Sequence, residues 1–308
     1  MNLTDNKNSE SVLNDYHNGV VTLVLNSPRT GNVVNDDNLN LICKYIKDAE
    51  DNKQCRVIIL KGSRGVFSRG MDFKFMLRSA KDGIDQDFSE PYRMAVSAIR
   101  NSKKITIAAV DGEVTAGGIG LMLACDIVLS TSRSQFVLSE VLFGIIPAYV
   151  FVFLLERMPL KKARFLVLSS KKIDASGALH FGLIDELVKD NDLEKALLFY
   201  IKRLLASSPD ALALVKSYSD SLYTGSFKNR DDETGKNRDD KTGKNSGDKT
   251  GKNRGDETGD FERSLDFATE TLTGLLKNTY ITESIENFMD GDKMPWALRY
   301  KKRKISSL

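Results

Sequence analysis

The sequence predicts an α/β protein: a core of strands covered on both faces, with an added helical layer in the C-terminal third. Two observations carry this. In the first half, short and near-continuously apolar runs of strand length alternate with stretches of helical spacing, the signature of strands buried on both sides. From Pro147 onward the apolar spacing is mainly helical.

The elements follow in order. Residues 1–18 are mostly polar and are expected to form a mobile lead-in. Met1 to Asn18 lacks the basic-then-apolar order of a secretory leader. Val20 to Leu25 is a β-branched run of strand length, and Asn26 to Asn32 is turn chemistry, with Pro28 and Gly31 inside it. Asp36 to Ala49 has helical spacing at Leu39, Ile42, Cys43 and Ile46. Arg56 to Leu60 is a second strand, closed by Gly62. Pro91 to Arg100 reads as a helix with proline in its first turn. Ile105 to Val110 is a buried strand, and Asp126 to Ser130 and Gln135 to Leu138 are shorter ones. Helices are expected over Ala148 to Arg157, Lys161 to Leu168, Asp192 to Leu205 and Pro209 to Leu222. This divides the chain into a core over 19–200, a helical region over 201–300 and a basic tail at 301–308.

One segment stands outside the core. Lys228 to Gly259 is four tandem octapeptides, KNRDDETG, KNRDDKTG, KNSGDKTG and KNRGDETG. It offers no apolar side chain beyond the threonine methyl, so burial cannot offset chain entropy and disorder is expected. The aspartate spacing does not match a helix-loop-helix calcium loop.

Composition narrows the function. The chain has 308 residues, 41% hydrophobic, enough for a sizeable core. Its 45 basic and 42 acidic residues nearly balance at +3, which does not predict nucleic-acid binding. The basic run Lys301 to Lys304 reads as a solvated tail. No apolar run is long enough to span a bilayer. The three cysteines, Cys43, Cys55 and Cys125, fit a reducing compartment and no metal-ligand pattern, so a cytoplasmic protein is expected. As bases for a reactive cysteine, only His17 and His180 are available.

Two glycine-bearing segments follow strands: Phe67 to Phe73 (FSRGMDF) and Ala109 to Leu121 (AVDGEVTAGGIGL). Glycine after a strand permits a sharp turn and close approach to the backbone. Two such turns facing one another could direct two N–H groups at one developing oxyanion. On spacing alone, close packing of a helix on a strand is the usual reason for such glycines.

The order of elements and these segments resemble the enoyl-CoA hydratase/isomerase family, the crotonases, from about Val20 to Asp190. The resemblance implies a spiral of ββα repeats with a helical C-terminal layer. It also implies a trimer or dimer of trimers. It assigns the two oxyanion donors to the backbone N–H groups of Met71 and Gly117. It assigns a catalytic carboxylate to Glu140, within Ser139-Glu140 followed by Leu142 to Pro147 (LFGIIP). The family's other carboxylate belongs four residues after Ala116, where this chain has Gly120. Ser68, Arg69, Gly118 and Tyr149 are the further candidates for substrate contact. Arg69, Lys74, Arg78 and Tyr92 are candidates for holding a distal substrate carboxylate. Asp72 and Asp111 are expected to brace their own turns by accepting backbone N–H groups.

A narrower resemblance joins Gly70 to Phe73, Asp111 to Gly120, Leu138 to Glu140, Phe143 to Pro147 and Met294 to Trp296 to the dehydratases of polyketide β-branching cassettes. That branch implies dehydration of a 3-hydroxy-3-methylglutaryl group on an acyl carrier protein. It requires no metal, flavin or nucleotide cofactor. Lys103, Lys104 and Arg64 are candidates for a basic rim facing an acidic carrier. The rival readings are an isomerase or hydratase acting on a CoA thioester, and a crotonase-shaped scaffold that only docks partners.

Overall fold

The computed structural model describes residues 10–27, 29–71, 90–143 and 146–224. Asp72, Lys74, Arg78, the octapeptides, Met294 to Trp296 and the basic tail lie outside the described residues. The chain divides into two compact units, Met1–Ala213 with Trp296–Leu308, and Leu214–Pro295. The described part of the second unit is helical and belongs to a helix over Pro209–Thr224. The sheets, the core and the candidate site belong to the first.

That unit is built on two sheets. The larger one orders its strands β1 (Val12–His17), β2 (Val20–Leu25), β3 (Val57–Lys61), β5 (Ile105–Val110), β7 (Ile127–Thr131) and β10 (Glu186–Val188). The smaller one orders β4 (Val66–Ser68), β6 (Glu113–Thr115), β8 (Gln135–Val137) and β9 (Ile173–Asp174). Each repeat therefore gives one strand to each sheet: β3 then β4, β5 then β6, β7 then β8. Helices α1 (Asp36–Asp51), α2 (Glu90–Arg100) and α3 (Gly117–Leu123) follow successive strand pairs, and this is the ββα spiral. From β2 to β10 the large sheet is parallel, as the crossover helices require. Helices α4 (Ala148–Arg157), α5 (Leu160–Ser169), α6 (Ala175–Phe181) and α7 (Leu193–Ala206) complete the unit.

Strand periodicity explains why the runs are apolar throughout. Along β3, Ile58 and Leu60 join the main core with α1 and α2, while Val57 and Ile59 face the other way onto Leu197, Ile201 and Leu205 of α7. Every residue of β5 is buried. Helix α1 begins with a reciprocal cap: Asn38 N–H donates to Asn35 Oδ1 and Asn35 N–H donates to Asn38 Oδ1. No helix among the described residues is long and apolar enough to cross a membrane.

The structure departs from expectation at the N-terminus. Val12–His17, inside the region expected to be a mobile lead-in, is strand β1, paired antiparallel with β2 from Val12↔Leu25 to His17↔Val20. The reason is local. Asn18 and Gly19 have φ of 47° and 83°, a pair of positive values that matches the strand twist in a two-residue hairpin. Val12 is fully buried in the core as a result. The short strands β4, β6, β9 and β10 and helix α6 also lie outside the sequence expectation.

Candidate active site

The two glycine-bearing segments converge. The turn after β4 carries Gly70 at φ 80°, and a Cβ there would lie 2.9 Å from the Ala116 side chain and 3.1 Å from Gly117 N. A Cβ on Gly117 would in turn lie 3.7 Å from Met71 N and 3.4 Å from Tyr92 Cε2. The backbones of Met71 and Gly117 thus face each other at close range. Gly117 is the first residue of α3, where the helix supplies its own N–H with no acceptor. Met71 pairs with Val34 through the bond from Val34 N–H to Gly70 O, so its own N–H is not part of that pairing. Ala116, between β6 and α3, has φ 49° and ψ −124°, a strained backbone for a residue with a Cβ. It is held there by its N–H donating to Val137 O at 3.0 Å.

Glu140 opens a short 3-10 turn over Glu140–Phe143, directly after β8, Leu138 and Ser139. It is only 8% exposed, and its Oε2 has no hydrogen-bond partner. Burial pushes its carboxyl above the ordinary carboxylate value, partly offset by the backbone N–H groups of Glu140 and Ser139. A buried carboxylate oxygen without a partner is costly, and such groups mark places where a protein accepts strain for function. The expectation of a base at Glu140 therefore falls on a desolvated group, not on a solvated strand end.

Tyr92 bonds one of these parts and feels the charge of the other. It is 4% exposed, and its hydroxyl donates to Gly117 O at 2.6 Å. Burial first, and the Glu140 charge second, push its own ionisation far upward, so it stays a neutral hydroxyl. Tyr149, half-buried, meets the Tyr92 ring edge-on at 5.8 Å between centroids. A Cβ at Gly120 would overlap the Tyr92 oxygen and lie 3.2 Å from Val150 Cγ2.

Other candidates are placed differently. Ser68 is fully buried; its hydroxyl donates to Asn32 O at 2.8 Å and accepts from Gly70 N–H at 3.2 Å. It braces the first glycine turn. Gly118 packs on it, with a Cβ there 2.7 Å from Ser68 O. Arg69 is exposed and its guanidinium pairs with Glu113 at 2.8 Å, leaving it an ion pair between β4 and β6. Asp111 does not brace its own turn through backbone N–H groups. It accepts from Thr131 Oγ1 at 2.8 Å and from the Arg133 guanidinium, joining the β5–β6 turn to the β7–β8 turn of the next repeat. The Arg133 bonds, with that of Thr131, hold its carboxyl below the usual value against the opposing effect of burial. Of the basic candidates, Lys103 and Arg64 are exposed, while Lys104 Nζ donates to Asn52 O at 3.4 Å. Among the described residues, no group of three or more His, Cys, Asp or Glu is placed to hold a metal ion.

Sequence reasoning did not single out Asn32 or the Tyr92–Gly120 pairing. Asn32 is 2% exposed and bonds Ser27 N–H and Val66 O across the turn. Its place within Asn26 to Asn32 marks a turn but not which strands the turn binds.

Known proteins share this family and fold. Residues 15–259 match the enoyl-CoA hydratase/isomerase family. The bacillaene synthase dehydratase PksH of Bacillus subtilis is 30% identical over 208 residues, 67% of this chain and 79% of its own. The solved structure of Bacillus subtilis PksH superposes with a TM-score of 0.64 at 29% identity, covering 69% of this chain and 84% of that one. An enoyl-CoA hydratase from Shewanella pealeana shares the fold, with a TM-score of 0.77 at 23% identity over 96% of this chain and all (100%) of that one. The chain belongs to the enoyl-CoA hydratase/isomerase family, the crotonase superfamily, whose relatives here act by hydration or dehydration.

Proposed function

We propose that this protein dehydrates a 3-hydroxy-3-methylglutaryl thioester, carried on an acyl carrier protein, to the 3-methylglutaconyl thioester of polyketide β-branching. One observation carries the reading. Among the described residues, Glu140 is a buried carboxylate with an unpartnered oxygen, and its charge is felt by the Tyr92 hydroxyl that bonds Gly117 O; the backbones of Met71 and Gly117 approach one another, and glycine stands at 120, where a second carboxylate would be. The likeness to PksH, named a dehydratase, favours this branch over the general hydratases.

The chemistry follows from those parts. The thioester carbonyl oxygen sits between the N–H groups of Met71 and Gly117. Glu140 removes the α-proton, and the C–H electron pair becomes an enolate whose oxygen the two donors stabilise. Each donor of this kind lowers the barrier by roughly 2.7–4 kcal/mol. The enolate then expels the β-hydroxyl, which leaves as water with the proton Glu140 took. One carboxylate serves both transfers when the proton and the hydroxyl leave from the same face. Tyr149 lines the acyl pocket. No metal, flavin or nucleotide is needed, only the phosphopantetheine arm of the carrier. The working assembly in this reading is a homotrimer or dimer of trimers. The exposed apolar side chains Val152, Phe165 and Leu168 on α4 and α5 fit burial against another copy.

The test is intact mass spectrometry of a hydroxymethylglutaryl-loaded carrier protein after exposure to the enzyme. Loss of one water is expected, with a higher specificity constant than for the same acyl group on CoA. That preference should shrink as salt rises, because an acidic carrier meeting Lys103 and Arg64 is drawn by exposed charges screened over about 10 Å at 0.1 M. Equal constants for carrier and CoA at low and moderate salt would instead favour a CoA-thioester isomerase or hydratase. Turnover of neither would favour a scaffold.

A further inference from the structure

We propose that Tyr92 is a positioning residue. Its hydroxyl occupies the space a side chain at 120 would need and holds the Gly117 carbonyl, fixing the turn that carries the Gly117 N–H. The inference rests on the reading of Met71, Gly117 and Glu140 as an enolising site, and it adds a residue and a steric pairing to it.

Three observations meet at this hydroxyl. It is buried, and its one proton is donated to Gly117 O at 2.6 Å, across 25 residues of sequence. It overlaps the position of a Cβ on Gly120, so tyrosine at 92 and a side chain at 120 exclude one another. It lies within the field of Glu140, whose charge opposes its ionisation, so it remains a neutral dipole there. A hydroxyl placed only for packing needs an acceptor but not this one. The Gly117 carbonyl belongs to the residue whose backbone approaches that of Met71, next to a strained Ala116. Without the tyrosine bond, the Gly117 carbonyl keeps only its place in the first turn of α3, and any tilt of that peptide shifts the Gly117 N–H through the Cα they share. Oxyanion donors are sensitive to small displacements, because their bond to the developing charge is geometric. Tyr149, edge-on to the Tyr92 ring, limits how far that ring can turn away.

The experiment compares wild type, Tyr92→Phe, Gly120→Ala and the double variant carrying both changes, by thermal melting and by α-deuterium exchange of the loaded carrier thioester in D2O. Exchange reports enolate formation whether or not water is lost. Tyr92→Phe should lower the saturating exchange rate by at least about tenfold, a barrier change of roughly 1.4 kcal/mol, while half-saturation stays within about threefold of wild type. A purely structural loss would lower the melting temperature without this split between rate and binding. Gly120→Ala should depress melting clearly in the wild-type background, although alanine favours helices. In the Tyr92→Phe background it should depress melting by less than half as much. There the clashing oxygen is gone, and the ring Cζ at 3.3 Å and Val150 Cγ2 at 3.2 Å need only small shifts. Exchange by Tyr92→Phe within about twofold of wild type, or equal cost of Gly120→Ala in both backgrounds, overturns the proposal. If wild type exchanges no α-proton, the enolising reading fails by itself, and the melting cycle still decides whether positions 92 and 120 are paired.

Discussion

At Glu140 the feature that the proposed chemistry uses also costs stability. Its Oε2 is buried without a partner, and burial raises its carboxyl above the ordinary value. Only the ionised form accepts an α-proton, so kcat/KM should rise with pH through this raised value, above the ordinary glutamate value of 4.5. Stability runs the other way. The folded chain keeps this proton to higher pH than the unfolded chain does. The stabilisation is complete below the unfolded value and is lost as pH rises through the folded one. Glu140→Gln should therefore lose activity by about 10²-fold or more yet melt higher than wild type at neutral pH. The melting difference should narrow on acidification towards the unfolded carboxylate value. Turnover kept within about tenfold, or a variant that melts lower at neutral pH, would show that Glu140 is not the strained base. The sequence pointed to Glu140 only through the family resemblance. Nothing in its neighbours Ser139 and Val141 announces a buried carboxylate, because burial is set by packing beyond the local sequence; the Tyr92 hydroxyl, far away in the chain, feels its charge.

At the scale of elements, the turns between paired strands carry the fold's tolerances. Gly112, between β5 and β6, has φ 97°, and a Cβ there would overlap the carbonyl of Gly65 in the β3–β4 turn. Gly65 O also accepts the Glu113 N–H at 3.2 Å, and Gly112 O accepts that of Gln135 at 3.2 Å. These bonds tie each strand pair to the next along the spiral. Gly65 has φ 76° but nothing within 4 Å of an added Cβ. Gly65→Ala should therefore cost only the backbone strain of about 1–2 kcal/mol. Gly112→Ala should cost at least about 3 kcal/mol, since overlap adds to strain. Denaturant titration of the two variants decides this, and equal costs would show that the turns are not packed on one another. The long apolar strands and amphipathic helices were legible because periodicity is a local property. The three-residue strands β4, β6, β8 and β10 are too short to show a period, and only β8 was read from its residues. Asn18-Gly19, by contrast, was a legible hairpin signal whose neighbours, Val12 to His17, looked too polar to be a strand.

For the whole molecule, the octapeptide run 228–259 is the feature least like the rest of the chain. With no apolar position it has nothing to contribute to a core. Its deletion is expected to leave melting temperature and turnover nearly unchanged. A large fall in melting temperature would show that the run packs on the folded chain. Patterns within a few residues were enough to settle the α/β class, the main strands and helices, and the two glycine segments. Which of those residues meet was settled by packing. It placed Met71 against Gly117, withdrew Glu140 from water, gave Ser68 and Arg69 bracing and pairing roles, and put the Tyr92 hydroxyl into the space left at Gly120. These are proximities between residues far apart in the chain, and burial and distance across a fold are set by the packing of whole elements, which no local pattern encodes.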